Sequence, residues 1–327
     1  MYTRAHENGE VSDEEVAYYQ ERAGGVGAVI TACTYVTRNG KGFPGVFGAD
    51  SDYLIPSLRR VATVIQEKGS KAILQILWGG RMCPPEELLD RQPIAPSAVA
   101  AERDDTLVPR EMTADEIDEI IKAFGEATRR AIEAGYDGVE IHGANTYLIQ
   151  QFFSPHSNRR TDKLGGTLEK RMSFPLAVVD AVKKAVLDHA TKPFIIGYRL
   201  WPEERENPGI TMEETLELVD KLADQDLDYL HNSVGGFWNG SIRDDNNQTS
   251  RVVMIHERVP PIERIGSKVN LGLKDKTALV TGGSRGIGKA IAVAFAKEGT
   301  NVVICGCGKE ALKEAAAENE KLGGNRF

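Results

Sequence analysis

Glu140-Ile141-His142-Gly143-Ala144-Asn145-Thr146-Tyr147-Leu148-Ile149-Gln150-Gln151-Phe152-Phe153-Ser154-Pro155 decides how the rest of the chain is read. Before it stands Gly135-Tyr136-Asp137-Gly138-Val139, a helix stop followed by a short β-branched run. His142, Asn145 and Tyr147 therefore fall where a strand hands over to a long polar loop. In a parallel α/β architecture that is the carboxyl end of a strand, where ligands bind. An imidazole, a carboxamide and a phenol this close in sequence can offer two hydrogen-bond donors and a proton source to one small polar group.

The run continues through Asn158-Arg159-Arg160-Thr161-Asp162, Gly165-Gly166, Glu169 and Arg171 to Phe174. Taken together these residues resemble the signature of the old yellow enzyme family, the FMN-dependent ene-reductases. That family carries a His-x-x-Asn or His-x-x-His pair followed by a Gln-Phe-x-Ser-Pro-x-x-Asn-x-Arg-x-Asp-x-x-Gly-Gly run. The agreement is too dense for chance.

Composition fits an ordinary globular enzyme: 327 residues, 41% hydrophobic and 27% charged. The formal net charge of −8 and the lack of a Lys/Arg stripe argue against nucleic acid or an anionic membrane surface as partner. No apolar run approaches the roughly 18 residues of a membrane span, and Met1 to His6 lacks a signal-peptide layout. The cytoplasm is the default compartment. Four cysteines do not make a disulfide framework, and Cys305-Gly306-Cys307 without a second pair is a weak metal motif, so no metal site is expected.

Outward from the signature, β-branched and helical patterns alternate. Ser12-Asp13-Glu14-Glu15 reads as a capping box opening a helix, and Val26 to Val36 reads as a buried strand. A helix over about Ser51 to Lys68 leads to a strand from Lys71 to Trp78. A Pro-rich excursion, Pro84 to Pro109, has the length of a functional loop or lid. Thr113-Ala114-Asp115-Glu116 caps a further helix that runs to Gly135. After the signature come a helix to about Leu187, a strand from Pro193 to Leu200, a helix from about Met212 to Asp224 and a strand from Asp228 to Val234. The order is that of a parallel-stranded barrel, with five clear strands. Measured against the old yellow enzyme barrel of eight units, the chain is expected to start just after the first strand. The resemblance fades after about Val269, before the last strands, whose loops bind the FMN phosphate in that family.

Residues 273–327 are different material. Ala278-Leu279-Val280 leads into Thr281-Gly282-Gly283-Ser284-Arg285-Gly286-Ile287-Gly288, then a helix, a strand to Cys305 and an Ala/Glu-rich helix. The glycines of such a turn allow close approach of backbone N–H groups to phosphate at a helix N-terminus. The segment resembles the opening of a short-chain dehydrogenase/reductase. That family's catalytic Tyr-x-x-x-Lys would lie downstream, but no tyrosine follows Tyr229. The expected architecture is α/β: a partial TIM-type barrel over residues 1–269, then a half-Rossmann βαβα segment over 273–327.

The flavoenzyme resemblance implies roles residue by residue. His142 and Asn145 match the pair that hydrogen-bonds the carbonyl oxygen of an α,β-unsaturated substrate, and Tyr147 matches the tyrosine that protonates Cα. Arg199 matches the arginine beside the flavin N1–C2 carbonyl edge, and Gln75 the glutamine on the pyrimidine ring. Cys33 stands where relatives carry a small residue against the flavin. The implied cofactors are FMN with NADH or NADPH as donor, and the implied partner is a small enone or quinone-like acceptor; self-association is left open. One reading is an FMN oxidoreductase in which strands near Ala278–Val280 and Val302–Cys305 complete the barrel, placing Gly282, Gly286 and Gly288 at the phosphate site. The other is a non-catalytic remnant with impaired FMN binding and an open sheet edge.

Overall fold

Thr113 shows how closely local sequence sets the elements. Its side chain accepts the Glu116 N–H while the Glu116 carboxylate accepts the Thr113 N–H, a complete capping box that starts α3 (Ala114–Ala134). Gly135, at φ +92°, ends that helix in the left-handed conformation that glycine adopts at little cost. In the computed structural model the described residues are 3–103, 106–259, 276–281, 284, 286–297, 299–305 and 308–321.

The remaining elements of the first unit, Met1–Pro261, are α1 (Asp13–Arg22), β1 (Ala28–Tyr35), α2 (Ile55–Gln66), β2 (Lys71–Leu77), β3 (Ile94–Ala95), β4 (Arg110–Glu111), β5 (Gly138–Gly143), α4 (Leu148–Phe153), α5 (Leu168–His189), β6 (Ile195–Leu200), α6 (Met212–Ala223), β7 (Tyr229–Asn232) and α7 (Arg251–Arg258). The five long strands form one parallel sheet in the order β1-β2-β5-β6-β7, so each βα unit adds its strand beside the last. All five were expected from sequence. Their helices pack Leu58, Val61, Ile65, Phe124, Val178, Val182 and Leu218 against a continuous core.

One rung of this sheet is unusual for a buried layer. Cys33, Gln75, Glu140, Gly197 and Tyr229 are successive cross-strand partners from β1 to β7. Gly197 is needed here because an added Cβ would come within 2.1 Å of the Tyr229 ring. The rung toward the carboxyl ends pairs His142 with Arg199 and Arg199 with His231. The sheet thus stacks a polar layer beneath the site.

Two local expectations are corrected and a third gains detail. Ser12 does cap α1 by accepting the Glu15 N–H, but the Glu15 carboxylate accepts the Arg4 N–H instead of returning to the cap, so the box is half formed. The stretch after His142 is not a long polar loop: α4 occupies Leu148–Phe153, and all six of its residues are buried. The Pro84–Pro109 excursion, expected as a functional loop or lid, is tied down at several of its described residues. Parallel pairing of β3 with β4 closes it, a Lys41–Glu87 ion pair of 2.5 Å with Lys41 buried anchors its start, and Arg81 donates to the carbonyls of Val99 and Ala100.

The second unit, Ile262–Phe327, contains β8 (Thr277–Thr281), α8 (Gly286–Lys297), β9 (Asn301–Cys305) and α9 (Lys309–Lys321). β8 and β9 pair with each other, in parallel, in a two-stranded sheet of their own. The expectation that they extend the five-stranded sheet is therefore overturned among the described residues. The physical reason is local. The crossover helix α8 seats Ala292 and Ala296 against Val280 and Val302, which gives the pair a small core of its own. Gly286 opens α8 and Gly288 lies in its first turn, whereas Gly282 and Cys307 lie outside the described residues.

Candidate functional site

The turn that follows β5 is strained, and the strain is held by side chains. Asn145 and Thr146 are consecutive non-glycine residues at φ +57° and +61°, a conformation that costs free energy unless the surroundings enforce it. Two glutamines of α4 enforce it. The Thr146 N–H donates to Gln150 Oε1 at 2.8 Å, and Gln151 Nε2 donates to the Thr146 carbonyl at 2.5 Å and to the Gly79 carbonyl at 3.1 Å. The Leu148 N–H donates to the Trp78 carbonyl, tying the start of α4 to the end of β2. Gln150 is fixed in turn by donating to the buried Glu204. Gly80, at φ +63°, gives Gln151 its space, since a Cβ there would sit 2.1 Å from Oε1.

The turn brings two of the proposed residues into contact, and the third, Asn145, meets Ser233. The His142 and Tyr147 rings meet edge to face, with centroids 5.0 Å apart. His142 is buried, and its Nδ1 accepts the Ala144 N–H at 3.3 Å. Burial, followed by the positive charge of Arg199, pulls its pKa down to about 3. A neutral imidazole with an accepting Nδ1 carries its proton on Nε2. Burial likewise raises the Tyr147 phenol above its usual range, which keeps it a protonated donor. Asn145 joins the group through Ser233: Arg199 Nη2 donates to Ser233 Oγ at 2.9 Å, and that hydroxyl donates to Asn145 Oδ1 at 3.2 Å.

Cys33 and Gln75 belong to the layer beneath. The Cys33 thiol donates to Gln75 Oε1 at 2.9 Å, while Gln75 Nε2 donates to Glu140. Burial pushes the Cys33 thiol up to about 12, so it acts as a small neutral group rather than a thiolate. Glu140 Oε2 lies 2.9 Å from His231 Nδ1. Sequence reasoning assigned no role to Glu140, His231 or Ser233. Only Glu140 left a signal, as a carboxylate set inside the apolar run Val139-Glu140-Ile141. Several other signature residues turn out to be scaffolding. Asn158 donates to the carbonyls of Phe152 and Leu164, and Arg160 donates to those of Pro96 and Met112.

A cavity of about 430 Å³ lies between the two edge strands, lined by Ile30 of β1 and by Tyr229, Leu230, His231 and Asn232 of β7, with Val234, Phe237 and Val252 beyond. His142, Asn145 and Tyr147 are not among its lining residues. Among the buried polar atoms of β6 and β7 without a protein partner are the donor Arg199 Nε and the acceptor Asn232 Oδ1. No helix among the described residues is long and apolar enough to cross a membrane, and no cluster of His, Cys, Asp and Glu among them could hold a metal.

The sequence profile of the NADH:flavin oxidoreductase / NADH oxidase family matches residues 1–315. The chain belongs to that family. These NADH-dependent flavin oxidoreductases bind FMN and use NADH or NADPH. The match runs past Val269, where the resemblance was expected to fade, and into the segment likened to a short-chain dehydrogenase. Among family relatives, the chain is 54% identical over 235 residues to NADH:acrylate oxidoreductase of Vibrio harveyi, covering 72% of this chain and 23% of that protein. It is 48% identical over 266 residues to the probable NADH-dependent flavin oxidoreductase YqiG of Bacillus subtilis (strain 168), covering 80% and 71%. It is 47% identical over 270 residues to NADH:fumarate oxidoreductase of Klebsiella pneumoniae (strain 342), covering 81% and 29%. The chain thus spans less than a third of the acrylate and fumarate enzymes' length. Among solved structures, morphinone reductase superposes with a TM-score of 0.68 at 25% identity, covering 94% of this chain and 80% of that one. The old yellow enzyme homologue from Zymomonas mobilis gives 0.66 at 25% identity, covering 79% and 73%. The family's fold, a TIM barrel, accounts for the parallel order of the five long strands.

The site's own chemistry fits the family's cofactor. A flavin ring edge alternates carbonyl oxygens with ring nitrogens. The unpartnered Arg199 Nε–H suits one of those oxygens, and the Gln75 amide still has one N–H and one lone pair to offer.

Proposed function

We propose that this chain is an FMN-dependent NAD(P)H oxidoreductase of the ene-reductase type, reducing the activated C=C bond of an α,β-unsaturated carbonyl compound. The observation that carries the reading is the contact of a neutral, Nε2-protonated His142 at the end of β5 with a protonated Tyr147, on either side of the enforced turn that carries Asn145. Gln75 and Arg199 would hold FMN by its pyrimidine edge, with Cys33 filling space beside it. When bound, FMN supplies the hydride chemistry between NAD(P)H and the acceptor.

The chain's residues supply the rest. His142 Nε2–H and the Asn145 amide N–H polarise the substrate carbonyl oxygen and stabilise negative charge as it develops there, as an oxyanion hole does. Tyr147 delivers a proton to the carbon α to that carbonyl, and its raised pKa keeps the proton available at neutral pH. The fixed charge of Arg199 favours an electron-rich ring beside it. Similarity to acrylate and fumarate oxidoreductases supports small α,β-unsaturated acids or ketones as acceptors.

Residues 273–327 are best read as a separate Rossmann-like half, a reading supported by the parallel β8–α8–β9 crossover and its own core. A second reading, a non-catalytic chain with impaired FMN binding, draws on β1 and β7 standing at the edges of the five-stranded sheet among the described residues. Anaerobic mixing of the FMN-loaded chain with NADH and then with cyclohexenone or acrylate separates the two. Bleaching by NADH and recovery with the acceptor support the enzyme; a chain that retains no yellow colour after incubation with FMN and desalting supports the second reading.

A further inference from the structure

We propose that Ser233 is a positioning residue, setting the orientation of the Asn145 carboxamide so that its NH2 group, and not its oxygen, is presented to the substrate. The inference rests on the proposed ene-reductase site and adds to it a residue that the signature does not contain.

The argument follows from donor counting. The Arg199 guanidinium has donors only, so in its 2.9 Å contact Ser233 Oγ must accept. The hydroxyl has one hydrogen, and its contact to the Asn145 carboxamide is 3.2 Å. With Oδ1 facing Ser233, that hydrogen has an acceptor and the carboxamide nitrogen points elsewhere. The flipped amide would place an N–H against the serine oxygen and leave the hydroxyl hydrogen without this acceptor.

The serine is itself well placed to impose the choice. It is buried, and its N–H donates to the Leu200 carbonyl at 2.9 Å, extending the β6–β7 ladder by one residue beside Arg199. The backbone from which the carboxamide projects is held, because Asn145 sits at φ +57° beside Thr146, whose N–H and carbonyl are bonded by the α4 glutamines. One hydroxyl thus links the cation assigned to the flavin edge with the amide assigned to the substrate oxygen.

The test has a spectroscopic and a kinetic arm. In chain labelled with 15N-asparagine and free of added flavin, the side-chain NH2 signal of Asn145 is assigned by its loss in Asn145→Ala. It should move toward the position of freely rotating amides in Ser233→Ala and return toward the wild-type position in Ser233→Thr, which keeps the hydroxyl. In the FMN-loaded enzyme, Ser233→Ala should lower kcat for cyclohexenone by about tenfold in the wild-type background and have no further effect in an Asn145→Ala background. An unmoved amide signal, or an equal kinetic penalty in both backgrounds, overturns the proposal. A moved signal in a chain inert toward every enone supports the serine's hold on the amide and counts against the ene-reductase reading instead.

Discussion

His142 Nδ1 accepts the backbone N–H of Ala144, two residues along the strand end, at 3.3 Å. That bond fixes the tautomer, and burial fixes the charge, so the imidazole enters the site as a neutral Nε2–H donor. Its folded pKa of about 3 lies below the ordinary 6.5. Between those values the unfolded chain takes up a proton that the native chain refuses, so native stability falls as pH drops through this window. Urea unfolding at pH 7 and pH 5 checks the sign. The wild type should lose about 2 kcal/mol more than His142→Asn between the two, and an equal loss would show that the histidine is not buried neutral.

Glu15 has the opposite linkage. Burial raises its carboxyl from 4.5 to about 7, partly offset by the N–H of Arg4. The native chain keeps a proton that the unfolded chain releases, so this contribution is present below pH 4.5 and is lost as pH rises through 7. Glu15→Gln should match the wild type in melting temperature near pH 5 and exceed it at pH 8. A variant that is less stable at both values would contradict the assignment.

The α4 glutamines should matter for rate as well as stability. Gln151→Ala leaves the Gly79 and Thr146 carbonyls without their donor, which should cost about 1–3 kcal/mol in urea unfolding. It also frees the Asn145–Thr146 turn, so kcat for an enone should fall by about tenfold or more in protein that remains folded. An unchanged kcat would mean that the turn holds without Gln151.

The layer beneath the site makes a steric prediction. Gly197→Ala would drive a methyl into the Tyr229 ring in the rung that contains Gln75 and Glu140. A destabilisation of about 1–3 kcal/mol is expected from overpacking, with weakened FMN retention because Gln75 shares the rung. Wild-type stability in this variant would show that the rung can relax.

The order of the five long strands was legible because the short β-branched runs alternate with helices whose ends are marked, Ser12 and Thr113 at helix starts and Gly135 at a helix stop. His142, Asn145 and Tyr147 were legible because their chemistry is compressed into six positions. What escaped depends on contacts between distant segments. Ser233 reaches Asn145 across 88 positions and His231 reaches Glu140 across 91, and no local pattern announces either. Helix α4 was hidden because its glutamines look like loop residues until their bonds to Thr146 and Glu204 are seen. The pairing of β8 with β9 was left open between two readings because strand pattern says where a strand lies, not which neighbour it takes.

The account depends most on a flavin held beside Gln75 and Arg199, and a fluorescence titration of FMN with the purified chain tests this directly. Saturable quenching at one FMN per chain, much weakened in Arg199→Ala, is the predicted result. Undiminished FMN fluorescence at every protein concentration, in folded wild-type chain, would contradict it.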